Sequence, residues 1–182
     1  TVWNLVDFNS EFRSESTPHV NTKGLVTDTR QPKEAYFLYQ ANLLKRPFLK
    51  IGSNQWLLRS GIATPGQTCT QAINVFSNQP SVQLWLNGRL LGKADVQQGM
   101  ASFEVPFING ENRLKAVAGN LEDMRVVNFK MIPAQLNDAH LPFTELNVSL
   151  GDPRFYVDDK LQQVWLPEQP YTKGGWGYIG GQ

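Results

Sequence analysis

Between residues 46 and 132 hydrophobic and polar residues alternate with a period of two. This pattern is typical of β-strands that bury one face. It predicts eight short strands, at residues 48–51, 55–58, 70–76, 81–86, 89–92, 100–105, 112–118 and 125–131. Short strands separated by turn signals predict a sandwich of two antiparallel sheets, so the predicted fold class is mainly β.

The strongest turn signal in this region is Asn87-Gly88. Both residue types accept the positive φ angles that a tight two-residue hairpin turn requires. In the strand before the turn, Val82, Leu84 and Leu86 fall on one face, which we expect to be buried. An immunoglobulin-like sandwich without its disulfide fits this pattern, since Cys69 is the sole cysteine.

The first 45 residues have a different pattern, with an apolar strand-like start and then a long polar loop. Pro32 is expected to open a helix that runs to residue 44, because proline suits the first helical turn. The helix carries a broad apolar surface made by Ala35, Tyr36, Leu38, Tyr39 and Ala41. Such a surface needs a cover from the rest of the chain or from another chain.

After residue 132 the alternation is weaker. Residues 133–145 have little pattern and are predicted to be a linker. Residues 146–182 are predicted to begin a second β unit that is too short to close a core of its own. We expect this tail to lie along the sandwich or to be poorly ordered.

The composition of the chain bears on which classes of partner it can bind. The 182 residues are 41% hydrophobic and 18% charged, and the net charge is +1 without a basic run. Nucleic acid and membrane are therefore not expected as partners. The lone His19 and His140 predict no metal site, and Cys69 is expected to be a packed thiol. A literal G-x-G-x-x-G at residues 175–180 lacks the flanking strand and helix, so no cofactor is predicted.

The polar loop near the start carries groups that suit a sugar. Trp3 offers a flat apolar face, while Asp7, Asn21 and Lys23 can hydrogen-bond hydroxyl groups or an anion. On the residues alone, a buried Trp3 and solvated loop charges explain the same pattern.

Four runs in the first 45 residues carry a family resemblance: Trp3-Asn-Leu-Val-Asp7-Phe, Asn21-Thr-Lys23-Gly24-Leu25-Val26, Asp28-x-Arg30-x-Pro32-Lys33 and Ala35-Tyr36-x-x-Tyr39. They resemble the end of the catalytic barrel of glycoside hydrolase family 2, the group of β-galactosidases, β-glucuronidases and β-mannosidases. The resemblance implies that residues 1–45 are the last strand, loop and helix of a TIM barrel. In such barrels the loop faces the substrate.

The same resemblance implies roles for the loop residues. Trp3 would help to wall the sugar subsite. Asn21 and Lys23 match the Asn-x-Lys pair that contacts the uronate carboxylate in β-glucuronidases, but similar runs occur in β-galactosidase-like members, so the sugar stays open. We predict Trp3, Asp7, Asn21 and Lys23 as substrate-binding residues.

Catalysis by this family requires residues that the resemblance places elsewhere. Retaining glycosidases use two carboxyl groups about 5 Å apart. The resemblance implies that both are glutamates on earlier barrel strands, upstream of Trp3. Glu11 and Glu15 match neither position and are interpreted as loop charges. We therefore predict no catalytic residue in this chain and no hydrolysis by the chain alone.

Two later stretches carry further resemblances. Residues 46–132, with Val82-x-Leu84-x-Leu86-Asn87-Gly88-x-x-x-Gly92, are similar to the immunoglobulin-like domain that follows the barrel and braces it. Residues 146–182 resemble the opening of a malectin-like carbohydrate-binding domain. By that likeness Tyr171, Trp176 and Tyr178 are candidates for stacking on sugars; the competing interpretation is that they anchor the tail.

The sequence thus predicts a non-catalytic segment of a retaining, β-galactosidase-like hydrolase of terminal β-glycosides, supported by the sandwich. Its partners would be a β-galactoside or related carbohydrate and the rest of the parent enzyme, in the periplasm or outside the cell. The alternatives are a β-glucuronidase-type parent, a module that binds polysaccharide through exposed aromatics such as Trp56 and Trp85, and a structural spacer with buried tryptophans.

Overall fold

The computed structural model describes residues 4–11, 19–54, 56–63, 68–141, 144–151, 153–158 and 160–180. The chain forms two compact units. One contains Thr1–Gln55, Ala72–Phe103 and Leu114–Arg125, and the other contains Trp56–Gln71, Glu104–Arg113 and Val126–Gln182. The predicted domain boundaries near residues 45, 132 and 145 stay predictions.

Short strands and one helix make up the described part of the first 45 residues. They are β1 (Asn4–Val6), β2 (Phe8–Asn9), β3 (Val20–Asn21), β4 (Gly24–Val26) and α1 (Glu34–Leu43). β1 pairs in parallel with β4, and β2 pairs antiparallel with β3. The polar loop predicted between one strand and the helix therefore contains three short strands of its own.

The helix begins two residues later than the sequence predicted. Pro32 forms a β-bridge with Val26, and the Lys33 backbone N–H donates to the Leu25 carbonyl oxygen at 3.0 Å. These bonds keep the backbone extended up to Lys33, so Glu34 is the first helical residue. Within the described residues, no helix is long and apolar enough to span a membrane.

The helix buries a narrower face than predicted. Phe37 and Ala41, one turn apart, are buried and pack with Phe76, whose ring centroid lies 6.2 Å from that of Phe37. Ala35 and Tyr39, which were predicted to belong to the buried surface, are exposed. Residues four apart share a helix face, and the ring of Phe76 selects the face that carries Phe37.

The remaining strands follow in chain order. They are β5 (Leu49–Ile51), β6 (Leu58–Ile62), β7 (Thr68–Ser77), β8 (Ser81–Leu86), β9 (Arg89–Asp95), β10 (Met100–Ile108), β11 (Gly110–Ala118), β12 (Leu121–Ile132), β13 (Asn147–Ser149), β14 (Tyr156–Asp158) and β15 (Gln163–Pro167).

Strands β5 to β12 form the predicted sandwich. One sheet has the order β6-β12-β11-β8-β9 and the other has the order β10-β7-β5. β8 pairs antiparallel with β9 and β11, and β5 with β7, whereas β6 pairs in parallel with β12. The mainly β sandwich is thus confirmed, and it includes a parallel pair.

The strand predicted at residues 55–58 was placed too early. β6 begins at Leu58, and Trp56 before it is exposed. Parallel pairing with β12 fixes this register, and it buries Arg59 and Ser60, which the hydrophobic pattern could not mark as strand residues. The next residue, Gly61, has no room for a side chain, because a Cβ there would collide with the Cys69 sulfur.

The predicted hairpin is confirmed in detail. Asn87 and Gly88 have φ angles of 50° and 82°, the left-handed values that a tight turn of this kind needs. Val82, Leu84 and Leu86 are all buried. The period-two pattern therefore identified the correct face of β8.

The described tail forms a sheet with the order β13-β15-β14. β15 pairs in parallel with β13 and antiparallel with β14. Leu166 and Trp176 form a buried cluster with Ile132, the last residue of β12. The tail thus contributes to a small hydrophobic core within its unit.

Candidate functional sites

Asp7 lies directly after β1 and is only 8% exposed. Its Oδ1 accepts a hydrogen bond from the Gly24 backbone N–H at 2.8 Å, and the Lys33 ammonium contacts Oδ1 at 2.7 Å and Oδ2 at 2.6 Å. A buried carboxylate with these partners is well compensated inside the protein. The geometry therefore supports a role for Asp7 in holding the loop, while its contact with a substrate stays a prediction.

Lys33 is the residue that sequence reasoning missed. Its side chain is mostly buried, and besides the Asp7 carboxylate it donates to the Thr22 carbonyl oxygen at 2.9 Å. One ammonium group thus ties the residue before the helix to Asp7, which follows β1, and to Thr22, which follows β3. The general rule that a buried carboxylate needs a cationic or N–H partner applies to Asp7, but nothing in the local sequence identifies Lys33 as that partner.

Asn21 and Lys23 lie side by side at the end of β3. Asn21 is buried, and its Oδ1 accepts the Lys23 backbone N–H at 3.1 Å, which closes a tight local turn. Lys23 itself is exposed. The turn therefore sets where the Lys23 side chain leaves the loop.

Gly24 permits the loop to close on β1. A Cβ at this position would collide with backbone atoms of Val6 and Asp7 and with the Asp7 carboxylate. Of the four predicted substrate-binding residues, the structure brings Asp7, Asn21 and Lys23 together around this glycine; Trp3 lies outside the described residues. Glu11 is exposed, as expected of a loop charge.

A pocket of about 600 Å³ lies in the tail. Its lining includes all three predicted stacking residues, Tyr171, Trp176 and Tyr178, together with Leu146 and Val148. Tyr171 and Tyr178 are each 46% exposed, and the Tyr171 backbone N–H donates to the Tyr178 carbonyl oxygen at 3.0 Å. The structure thus brings the three aromatic residues to one concave, largely apolar surface.

Trp176 has a double character in this pocket. Its side chain is 7% exposed and packs in the cluster with Leu166 and Ile132, as the anchoring interpretation expects. Its backbone carbonyl accepts the Gln169 Nε2–H at 3.0 Å, yet its indole Nε1 is buried and finds no hydrogen-bond partner among the residues that the structure describes. A buried N–H that makes no hydrogen bond costs free energy, so a partner for this N–H would stabilise the pocket.

The other described tryptophans divide between exposed and covered. Trp56 is 52% exposed, and the Arg59 guanidinium lies 4.8 Å from its ring centroid. Trp85 and Trp165 are half-buried. Contact with Arg59 explains part of the position of Trp56 without a ligand.

Cys69 is a free, partly buried cysteine. Burial raises the pKa of the Cys69 thiol, which disfavours the nucleophilic thiolate and agrees with a packed role. Across the ranges that the structure describes, no three His, Cys, Asp or Glu side chains lie close enough together to hold a metal ion.

The chain is similar in sequence and in structure to known glycosidases. A family profile described as "Domain of unknown function (DUF4982)" matches residues 70–126. The crystal structure of a Bacteroides uniformis β-glucuronidase matches 99% of the chain with a TM-score of 0.90 and 39% identity, over 22% of its own length. A Formosa agariphila protein named as a candidate β-glucuronidase is 35% identical over 130 residues, which are 68% of this chain and 15% of that protein.

A candidate β-galactosidase of Bacteroides fragilis also matches, over 71% of this chain and 20% of its own, with a TM-score of 0.59 and 28% identity. These likenesses confirm the predicted resemblance to glycoside hydrolases of the β-glucuronidase and β-galactosidase kind. The chain spans 22% of the solved β-glucuronidase and 15% of the Formosa agariphila relative.

Proposed function

We propose that the chain is a non-catalytic segment of a β-glucuronidase-type glycoside hydrolase and that its polar loop contributes to the sugar subsite. Two relatives that carry the β-glucuronidase name, at 39% and 35% identity, support this type of parent over the β-galactosidase-like parent preferred from the sequence. The observation that carries the proposal is the exposed Lys23 on a turn that buried Asn21 closes.

In this proposal the Lys23 ammonium contacts the carboxylate of a β-glucuronide. A charge-assisted hydrogen bond of this kind contributes about 1.5–3 kcal/mol. A β-galactoside carries a hydroxyl group at the same position of the sugar and gains less from a cation. Asp7 and Lys33 do not contact the sugar in this proposal. Their ion pair, together with the bond from Lys33 to the Thr22 carbonyl oxygen, holds the backbone next to Lys23 in place.

The acid/base and nucleophile carboxylates of the retaining mechanism come, in this proposal, from the rest of the parent enzyme. The sandwich of strands β5 to β12 acts as structural support for the catalytic barrel. The periplasmic or extracellular location implied by the resemblance belongs to the same proposal.

The test is glycosidase activity of the intact parent protein and of this chain alone on chromogenic β-glucuronide, β-galactoside and β-mannoside substrates. We expect the intact protein to prefer the glucuronide and the chain alone to be inactive. Activity in the chain alone would assign catalysis to a carboxylate of this chain, such as Glu11 or Glu15. Turnover of the galactoside only would return the parent to the β-galactosidase type.

A second candidate function is carbohydrate binding by the tail. The exposed faces of Tyr171 and Tyr178 in one pocket support it, because the apolar C–H face of a sugar ring packs on aromatic rings. The buried Trp176 N–H, which bonds none of the described residues, adds a donor for a sugar hydroxyl.

Affinity electrophoresis of the intact protein in gels that contain soluble polysaccharides tests this second function. We expect Tyr178→Ala to abolish the retardation. Tyr156→Ala is the matched control, since Tyr156 is an exposed tyrosine of β14 outside the pocket lining. Equal retardation of both variants and the unmodified protein, or none in all three, would exclude polysaccharide binding by this pocket.

A further inference from the structure

The segment that follows β5 is held firmly. Ile51 is fully buried, and the Gly52 backbone N–H donates to the Asn74 carbonyl oxygen of β7 at 2.8 Å. Ser53 is buried and has a left-handed φ of 60°. A residue other than glycine keeps this conformation only where its surroundings enforce it.

Two hydrogen bonds join this segment to the start of the helix. Glu34 Oε1 accepts the Ser53 backbone N–H, and Asn54 Nδ2 donates to the Pro32 carbonyl oxygen. Gly52 leaves room for the first bond, because a Cβ there would lie 2.8 Å from Glu34 Oε1. The chain is therefore fixed on both sides of residue 33.

Lys33 is the residue between these two attachments. Its ammonium binds Asp7 and the Thr22 carbonyl oxygen, and Thr22 directly precedes Lys23. A continuous series of hydrogen bonds thus runs from the end of β5 to the loop that presents Lys23. Every member of the series belongs to the same compact unit.

We propose that Glu34 and Asn54 are positioning residues for the Lys23 loop, through which the first strand of the sandwich sets the geometry of the sugar subsite. This inference rests on the proposed function of Lys23. Neither side chain needs to touch the substrate. They act because a shift of Pro32 or Glu34 moves the backbone of Lys33 and, with it, the anchor of Thr22.

Kinetics of the intact protein on a chromogenic β-glucuronide test the role of Glu34. We expect Glu34→Ala and Asn54→Ala to raise KM roughly threefold to tenfold, the effect of losing one hydrogen bond, with a smaller change in kcat. Glu34→Gln keeps an acceptor oxygen in place and should restore most of the KM. The control is Asn112→Ala, since the buried Asn112 amide bonds only Ile108 and Gly110 among the hydrogen bonds described for it.

A double variant distinguishes a positioning role of Glu34 from general destabilisation of the protein. In a Lys23→Met background, Glu34→Ala should raise KM no further, because the side chain that it positions is gone. An equal rise in both backgrounds, or a rise in Asn112→Ala of the same size, would overturn the inference.

Hydrogen exchange decides the inference even if Lys23 has no role in binding. The Lys23 N–H is bonded to Asn21 Oδ1 and the Gly24 N–H to Asp7 Oδ1. Glu34→Ala should speed exchange at both amides, and Asn112→Ala should not. If exchange at the Lys23 and Gly24 amides is unchanged in Glu34→Ala, Glu34 does not position this loop and the inference is wrong. A different result is also informative: faster exchange in Glu34→Ala together with an unaltered KM in Lys23→Met. It would support the positioning role of Glu34 and reject the proposed function of Lys23.

Discussion

The two regions that could contact a sugar are built in opposite ways. The polar region of residues 4–33 contains Asp7, Asn21 and Lys33. Asp7 and Asn21 are buried, Lys33 is mostly buried, and all three form hydrogen bonds with one another or with backbone groups. The pocket of the tail is apolar and aromatic, and its Tyr171 and Tyr178 keep about half of their surface exposed.

The difference shows what burial requires of each residue type. A buried charge or amide must find partners, so most of the polar groups predicted to meet a ligand are used to shape the loop, and Lys23 alone of the described three is exposed. Aromatic rings need no partner, so they can anchor the tail with one face and remain open with another. The variants below break one region at a time.

The largest effect is expected from Gly24→Ala. The new Cβ would collide with backbone atoms of β1, which cannot move aside as a flexible side chain would. We expect a loss of more than about 4 kcal/mol of unfolding free energy or failure to fold, measured by urea unfolding. Gly92→Ala is the matched control, because a Cβ there meets nothing within 4 Å. Similar stability of the two variants would contradict the close packing at Gly24.

The next effect is expected from Lys33→Met. This change leaves the buried Asp7 carboxylate without its cation and should cost about 3 kcal/mol of unfolding free energy. Adding Asp7→Asn should recover part of that loss, because the uncompensated charge is removed. A double variant that is less stable than Lys33→Met by the full cost of Asp7→Asn alone would show that the two residues are not coupled.

A smaller effect is expected from Trp176→Phe in the tail. The change keeps a large buried ring and removes an Nε1–H that makes no hydrogen bond within the described part of the chain, so the cost should stay near ~1 kcal/mol in thermal unfolding. Trp85→Phe should have a similar cost, since no described residue bonds the buried Trp85 Nε1 either. A cost above about 2 kcal/mol would mean that the Trp176 N–H is satisfied in the folded protein.

The smallest effect is expected at the exposed pair of Lys130 and Glu145. The hydrogen bond from Lys130 lowers the pKa of the Glu145 carboxyl below its ordinary value. The resulting stabilisation is present above the ordinary pKa and is lost as the pH falls through the lowered one. The unfolding temperature of Lys130→Met should therefore lie slightly below that of the unmodified protein near ~pH 6, and the difference should shrink as the pH falls below the ordinary glutamate pKa of about 4.3. A constant difference would assign the effect to packing.

Local pattern was sufficient for much of the sandwich. Alternation in residues 81–86 identified the buried face, and Asn87-Gly88 identified the turn, because both depend on near neighbours in sequence. β6 was misplaced because its register comes from pairing with β12, 70 residues further along the chain at Leu58 and Asn128. Arg59 is buried there by partners such as Gln71 and the Phe107 ring, which no local pattern reveals.

The candidate sites show the same division. Hydrogen-bonding chemistry and a family resemblance singled out Asn21 and Lys23, which the structure places on one turn, and a second resemblance singled out the aromatic residues that line the tail pocket. The role of Lys33 could not be read from pattern, because its partner Asp7 is 26 residues away and the pair forms only when β1 and β4 lie side by side.

The most direct test of the central claim is the substrate preference of a Lys23→Met variant of the intact protein, with Lys45→Met as the control on another exposed lysine. The measured quantity is the ratio of kcat/KM for a β-glucuronide to that for a β-galactoside. We predict that Lys23→Met lowers this ratio at least about tenfold, the value of one charge-assisted hydrogen bond, and that Lys45→Met leaves it unchanged. An unchanged ratio in Lys23→Met would show that the loop does not recognise the charged group of the sugar.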